Sequence, residues 1–268
     1  MGMLDLEFTQ LSDPGLVRDG NEDCLGAVPP ATPAEVRSRG WLFALADGVG
    51  GHEQGEVASR LAVDTVLEGF RQATPGAPLS TLLPRLIQNA NAEVYAAATT
   101  SGRSVGGMAT TLVLCALRFD QATISHAGDS RCYLIRDGRA TPLTKDHTLA
   151  ADQAELGLLS ADEAKSAPTR HVLSRAVGAD MLVAADTTQI QVNPEDVLLL
   201  CSDGLHGPLP AAEIAYVVTK RMDLHAAAAR LVAIANERDG GDNVSVQLIR
   251  VHSVERMGMY RGRPYKLR

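Results

Sequence analysis

Short apolar or alternating segments recur along the chain, at "LDLEFTQLS", "WLFALAD", "TTLVLCALRF", "ATISHAGD", "CYLIRDG", "DVLLLCSD" and "NVSVQLIRV", many of them rich in β-branched residues. Such segments predict strands. Two amphipathic helices sit together near the front. The first, over about Glu56 to Phe70, puts Val57, Leu61, Thr65 and Gly69 on one line with Ala58, Ala62 and Val66 beside it. The second, over about Leu79 to Ala98, aligns Leu82, Leu86, Ala90 and Val94, with Leu83 and Ile87 alongside. A last helix is expected over about Ala211 to Glu237. An Ala-rich, more polar insert follows "LTKDHT", with Gly157 as a helix stop and Ser160 and Glu163 at capping-box spacing, and reads as a small helical flap. No repeat, low-complexity tract or linker divides the 268 residues. The pattern predicts one α+β domain in which strands stack as two sheets with helices outside.

The net charge of -7 argues against a nucleic-acid binder, although "RMGMYRGRPYKLR" forms a short basic tail that reads as a disordered end. The four cysteines, Cys24, Cys115, Cys132 and Cys201, lack the spacing of a zinc knuckle or a redox pair. They read as buried reduced thiols and suit a cytosolic protein. The N-terminal residues are acidic where a signal peptide is basic, and no apolar run approaches membrane-spanning length, so a soluble, cytoplasmic protein without membrane partners is expected.

The stretch "WLFALADGVGGH" carries the chemistry. Asp-Gly is a common hairpin signal, and Asp137-Gly138 in "CYLIRDGRATPL" is read as one. Asp47-Gly48 differs, because the sequence after it opens into a helix instead of returning as a strand. "DVLLLCSDGL" repeats the pattern at Asp203, "ISHAGDSR" ends a run on Asp129, and "ERDGGDNVSVQ" puts Asp242 and Asn243 just before the last strand. These acids sit at the mouths of apolar segments. If the segment ends converge, the carboxylates repel one another unless a cation neutralises them. An all-oxygen set without matching Cys or His points to Mg²⁺ or Mn²⁺ rather than Zn²⁺.

"GLVRDGNEDCLGAV" adds Arg18, Asn21, Glu22 and Asp23 in a turn-rich segment. Beside such a cluster, an arginine that can form a bidentate fork suits a phosphate monoester.

At this point the residues resemble the metal-dependent serine/threonine phosphatases of the protein phosphatase 2C type. "VRDGNED", "ADGVGGH", "GMATTLV", "AGDSRCYL", "LTKDHT", "LSRAVG", "LLLCSDGL" and "GGDNVSV" fall in the family's order, from about Leu11 to Val251. The resemblance implies an αββα four-layer sandwich, two antiparallel β-sheets flanked by antiparallel helices. It places a single phosphatase domain over 1–252, a mobile flap at about 147–172 and the basic tail at 253–268. It implies two Mn²⁺ or Mg²⁺ ions, with Asp47 bridging both, the Gly48 carbonyl a ligand of one, and Asp203 and Asp242 ligands of the other. Glu22 and Asp23 would order metal-bound waters, Arg18 would hold the substrate phosphate, and Asn243 would support the ligands from behind. Asp129, with Asp203, matches the place of a third, weaker metal in bacterial members. The implied reaction is phosphomonoester hydrolysis by in-line attack of a bridging hydroxide, with no phosphoenzyme.

The chain departs from the family's pattern at Val49, where some members carry a histidine that protonates the leaving alkoxide; His52 is a weak substitute. It departs again at Asp239, because the family's paired small residues usually start one place before Gly240-Gly241. A zinc-protease reading of "GHEQGE" fails, since Glu56 stands where a second histidine is needed. A non-catalytic phosphoprotein-binding or partner-switching module with the same fold is the alternative, and loss of a metal carboxylate would have signalled it. The compact form resembles stand-alone bacterial phosphatases that oppose a serine/threonine kinase, some of which serve type VI secretion. The expected partners are that kinase and its phosphorylated targets, with the enzyme a monomer.

Overall fold

The computed structural model describes residues 3–49, 53–100, 107–220, 223–260 and 263–266. Alternation along the strands accounts for its layers. In β3 (Trp41–Val49), Phe43 and Leu45 point one way while Leu42, Ala44 and Ala46 point the other, and all are fully buried. A strand buried on both faces must lie between two layers. β10 (Val197–Cys201) behaves alike, with Leu198 and Leu200 on one face and Leu199 and Cys201 on the other.

The two sheets that result are antiparallel throughout. One runs β1 (Asp5–Asp13), β11 (Val244–Ser253), β10, β7 (Arg131–Arg136) and β8 (Arg139–Pro142). The other runs β2 (Asp23–Val28), β3, β5 (Leu112–Arg118), β6 (Gln121–Ala127) and β9 (Asp186–Gln191), with the short β4 (Ala109–Thr110) pairing the end of β3. Phe43, Leu45, Val113 and Ile124 meet Leu198, Leu200, Ile249 and Val251 in the core between the sheets.

Helices cover both outer faces. α2 (Glu53–Gln72) and α3 (Leu79–Thr100) lay Val63, Val66, Leu83 and Ile87 on Leu42, Ala44 and Leu114. α7 (Ala211–Thr219) and α8 (Leu224–Arg238) lay Ile214 and Leu231 on Leu199 and Leu248. The architecture is therefore the expected αββα sandwich. A short α1 (Pro33–Ser38), capped by Thr32, joins β2 to β3.

The single helix expected over about Ala211 to Glu237 is two helices. Asp223 caps a fresh start, its side chain accepting from the Ala226 N–H at 2.7 Å, so orphan donors at the new N-terminus are satisfied locally. The tail also departs from expectation. Rather than a wholly disordered end, β12 (Met257–Tyr260) and β13 (Arg263–Lys266) pair in an antiparallel ribbon, Met257 opposite Lys266. Strands of this length give too short an alternation to register in the sequence. The Asp137-Gly138 hairpin forms as read, with φ of +50° and +72° at its two central residues, as a type I′ turn requires.

The flap lies between β8 and β9. It consists of α4 (Leu149–Glu155), α5 (Ala161–Ser166) and a 3₁₀ turn (Pro168–His171). Ser160 and Glu163 form the reciprocal capping box, and Gly157 takes φ +72° where α4 ends. The flap leaves and returns through one neck, where Thr148 bridges Leu173 and the Leu149 N–H donates to the Val172 carbonyl at 2.9 Å. Cys115, Cys132 and Cys201 are buried and Cys24 is half-buried, all of them free thiols.

Candidate metal centre

The acids converge because strands of both sheets end at the same rim. Asp47 lies directly opposite Asp23 in the β3–β2 register. Asp203 opens α6 (Asp203–His206) immediately beyond β10 and Ser202, while Asp242 and Asn243 immediately precede β11. Asp129 follows β6 by one glycine, Gly128, whose φ is +108°. β3 itself runs through Asp47 and Gly48 to Val49, so Asp47 stands within the strand rather than ending it.

Burial and mutual repulsion raise the carboxyls together. Burial pushes Asp47 well above the usual carboxylate range, and Asp23, Asp203, Asp129 and Asp242 push it further. Asp23 rises to about 7, mainly by burial, even though the nearby Ser245 and Ser202 hydroxyls pull the other way. Asp129 also rises to about 7, by burial and the nearby Asp203. Asp203 is raised by burial and Asp242, against which His171 of the flap and a hydrogen bond with Asp47 act in the opposite direction. Acids placed where ionisation is this unfavourable call for a compensating positive charge.

The loop before β2 faces this rim. Asn243 is its anchor. Its Nδ2 donates to the Pro14 and Gly20 carbonyls at 3.0 and 2.9 Å, and its Oδ1 accepts from the Glu22 N–H at 2.8 Å. Arg18 reaches Asp242 at 3.0 Å. Gly48 donates its N–H to the Glu22 carbonyl at 3.1 Å, and a Cβ on Gly48 would collide with the Gly55 carbonyl of α2. The helix thus starts directly on the strand that carries Asp47, which requires glycine at both contacts.

Burial with an unmet valence tests whether a hard cation fits. Asp23 Oδ1 is buried and has no hydrogen-bond partner among the described residues, and such an atom is costly unless something coordinates or solvates it. No three acidic, histidine or cysteine side chains among the described residues form a ready-made metal cage. The acids gathered at the rim nonetheless offer oxygen alone, which suits Mg²⁺ or Mn²⁺ better than Zn²⁺. Hard octahedral ions keep several waters and take few protein carboxylates, whereas a structural zinc site is closed by its side chains.

The rim brings together Asp23, Asp47, Asp129, Asp203 and Asp242, with Arg18 ion-paired to Asp242 and Glu22 and Asn243 tied by a backbone hydrogen bond. Val49 is 42 % exposed at the strand end. His52 lies outside the described residues. At the "RDGGD" departure the left-handed conformation falls on Gly240, at φ +63°, while Asp239 takes φ -132°. The Gly240 carbonyl accepts from Leu16 at 2.8 Å, so the loop closes on the Arg18 segment.

Several residues were legible only as parts of motifs. Thr111 Oγ1 accepts from the Asp47 N–H at 3.0 Å and contacts Ser130 Oγ at 2.7 Å, while Thr110 donates to the Asp47 carbonyl at 2.8 Å. The threonine pair in "GMATTLV", polar inside an apolar run, is the signal. Ser202 Oγ donates to Asp23 at 2.9 Å, and His206 Nε2 lies 3.0 Å from the Asp129 carbonyl.

Comparison with known proteins adds the following. The family model described as protein phosphatase 2C matches residues 30–240. The serine/threonine phosphatase stp of Listeria innocua is 34% identical over 255 residues, covering 94% of this chain and 96% of that protein. Among solved structures, the catalytic domain of the serine/threonine phosphatase PstP in complex with two manganese ions is 32% identical with a TM-score of 0.77, covering 94% of this chain and all of that one. PppA of Pseudomonas aeruginosa, a key regulatory component of T6SS, is 30% identical with a TM-score of 0.75, over 92% of this chain and 97% of that one.

Proposed function

The chain belongs to the protein phosphatase 2C family, and we propose on that premise that it hydrolyses phosphoserine and phosphothreonine in proteins with two Mn²⁺ or Mg²⁺ ions. The observation that carries the reading is the convergence of Asp47, Asp203 and Asp242 from both sheets beside Arg18. Asp47, Asp203, Asp242 and the Gly48 carbonyl would hold the two ions, and Asp129 with Asp203 a third. When bound, the metal supplies a water of lowered pKa and stabilises charge on the transferring group.

The chain's own residues do the rest. Arg18, half-exposed and already at the rim beside Asp242, grips the phosphate oxygens through its fork. Asn243 fixes the loop that presents it. Glu22 and Asp23 orient water toward phosphorus, Asp23 being held on one oxygen by Ser202 and open on the other. With Val49 in the place of the family's histidine, no side chain on β3 donates a proton to the leaving alkoxide.

The substrates fall in the same proposal. The enzyme opposes a serine/threonine kinase in the cytoplasm, and the likeness to PppA supports a role in T6SS regulation. No helix among the described residues is long and apolar enough to cross a membrane. The test is a phosphopeptide assay with metal-free protein, followed by comparison of phosphoproteomes with and without the gene. Absence of metal-dependent release of phosphate from any phosphoserine or phosphothreonine peptide would refute the reading.

A further inference from the structure

The Asp129 turn is held from three sides. His206 Nε2 meets the Asp129 carbonyl at 3.0 Å from α6, and Ser130 Oγ meets Thr111 Oγ1 at 2.7 Å from β5's start. The third hold comes from the flap neck. The His147 N–H donates to the Gly128 carbonyl at 3.1 Å, and the Gly128 N–H donates back to His147 Nδ1 at 3.2 Å. The His147 carbonyl in turn accepts from Ser174 at 3.0 Å, on the returning side of the neck.

This arrangement assigns the tautomer of His147. A backbone N–H cannot accept, so Nδ1 must carry a lone pair, and the neutral ring bears its proton on Nε2. Asp186 Oδ2, at 3.2 Å from Nε2, takes that proton's hydrogen bond. Arg175 Nη1 also lies 3.2 Å from Nε2, but two donors cannot face each other, and its partner is Asp186 Oδ1 at 2.8 Å. The His126 ring stacks on the imidazole, centroids 4.5 Å apart. The ring is 2 % exposed as a residue, and burial, its largest influence, holds its pKa below the ordinary histidine value.

We propose that His147 is a positioning residue that locks the Gly128–Asp129 turn to the flap neck, so that the seating of the flap and the place of Asp129 in the metal centre are set together. The proposal rests on the phosphatase reading only for the role of Asp129. The lock itself is a matter of the hydrogen bonds between Gly128, His147 and Ser174. Outer partners of this kind commonly change metal affinity by ~10–100-fold when removed.

Two substitutions separate the lock from mere space-filling. In His147→Asn the amide oxygen lies as many bonds from Cα as Nδ1 and can accept from Gly128. In His147→Gln the amide reaches the Nε2 position and leaves the Gly128 N–H without its acceptor. Hydrogen exchange read by mass spectrometry should show faster exchange at 126–131 and at the neck in His147→Gln, with His147→Asn close to the unaltered protein. Calorimetric titration with Mn²⁺ should show the weakest binding step about 10-fold weaker in His147→Gln and within about 3-fold in His147→Asn. Identical behaviour of the two variants, or exchange in His147→Gln at the unaltered rate, overturns the proposal. Should His147→Gln fail to fold, Asp186→Ala keeps the imidazole but removes the acceptor that fixes its tautomer; faster exchange at 126–131 is again expected, and an unaltered rate overturns the proposal. A failure of the phosphatase reading looks different, since the unaltered protein would then release no phosphate while the exchange pattern stood.

Discussion

The Arg18 guanidinium is ion-paired to the carboxylate of Asp242, Nη2 to Oδ1 at 3.0 Å, and donates through Nε to the neighbouring Gly241 carbonyl at 3.3 Å. The proposed phosphate grip is thus held by a proposed metal ligand. Both side chains are partly exposed, so the pair contributes little stability, within about 1 kcal/mol.

Arg18→Ala should therefore leave the fold almost untouched and act on substrate binding. A charged hydrogen bond to phosphate is worth roughly 1.5–3 kcal/mol, so KM for a phosphothreonine peptide is expected to rise by ~10–100-fold while kcat changes much less. Steady-state kinetics decide it. An unchanged KM contradicts the assignment.

Asp47→Ala and Asp203→Ala should abolish turnover, by ~10³-fold or more, because each removes a proposed ligand of an ion that would stabilise several kcal/mol of developing charge. Chelation of the unaltered protein should do the same, and Mn²⁺ or Mg²⁺ should restore it. Full activity with Zn²⁺ alone would sink the all-oxygen reading.

The pH dependence of stability carries its own signature. A carboxyl whose folded pKa lies above its unfolded value binds extra protons in the native state between the two, so stability falls as pH rises through that interval. Asp23 and Asp129, both at about 7, lose stability up to and just beyond pH 7. The buried His206, lowered to about 4, and His126 and His147, also lowered by burial, work the opposite way, an effect that fades as pH climbs past the ordinary histidine pKa of 6.5. Between pH 7 and 8 that opposition is small while Asp23, Asp129 and the higher Asp47 still lose their protons. Metal-free protein should lose roughly 1–2 kcal/mol over this window, a fall of a few degrees in Tm, and Mn²⁺ should flatten the slope. A metal-free Tm that is level or rising there would contradict the buried-acid cluster.

Asp137 is the control among the Asp-Gly pairs. It holds φ +50° in the β7–β8 turn, away from the rim. Asp137→Ala should cost about 1 kcal/mol in stability through the left-handed backbone with activity unchanged, and Asp137→Gly should cost less.

Val49 lies at the strand end, 42 % exposed and opposite Ala109, with room for a larger side chain. An alkoxide from phosphothreonine needs a proton as it leaves, while p-nitrophenolate does not. A well-placed general acid is worth ~10²–10⁴-fold, and a grafted one recovers far less. Val49→His is expected to raise turnover of a phosphothreonine peptide relative to p-nitrophenyl phosphate. A sharp fall of that same ratio in His52→Ala would show that the unaltered enzyme already has its acid.

The acids were legible because each stands at the mouth of an apolar run, and α2 and α3 because their stripes repeat at helical spacing. β2 and β9 were not legible, for tertiary reasons. Gly26 weakens the strand signal of "DCLGAV", yet a Cβ there would strike the Leu67 and Val63 side chains of α2; glycine is present for a contact that lies far along the chain. β9, "DTTQIQ", is an edge strand with four of its six residues exposed, so little burial marks it. His147 gave no signal of its own beyond its place in "LTKDHT", because its partners Gly128 and Asp186 are joined to it only by the fold.

Asp23 and Asp47 belong to one sheet, while Asp203 and Asp242 are carried by the other. Whatever draws these acids together is a clasp across the seam of the sandwich, and the fit of Leu198 and Leu200 against Phe43 and Leu45 sets how far the clasp must reach. Sliding of one layer over the other by a fraction of a side chain would open it. A cavity cut deep in that seam, as in Leu200→Ala, should accordingly loosen Mn²⁺ binding at the rim without removing any of its acids.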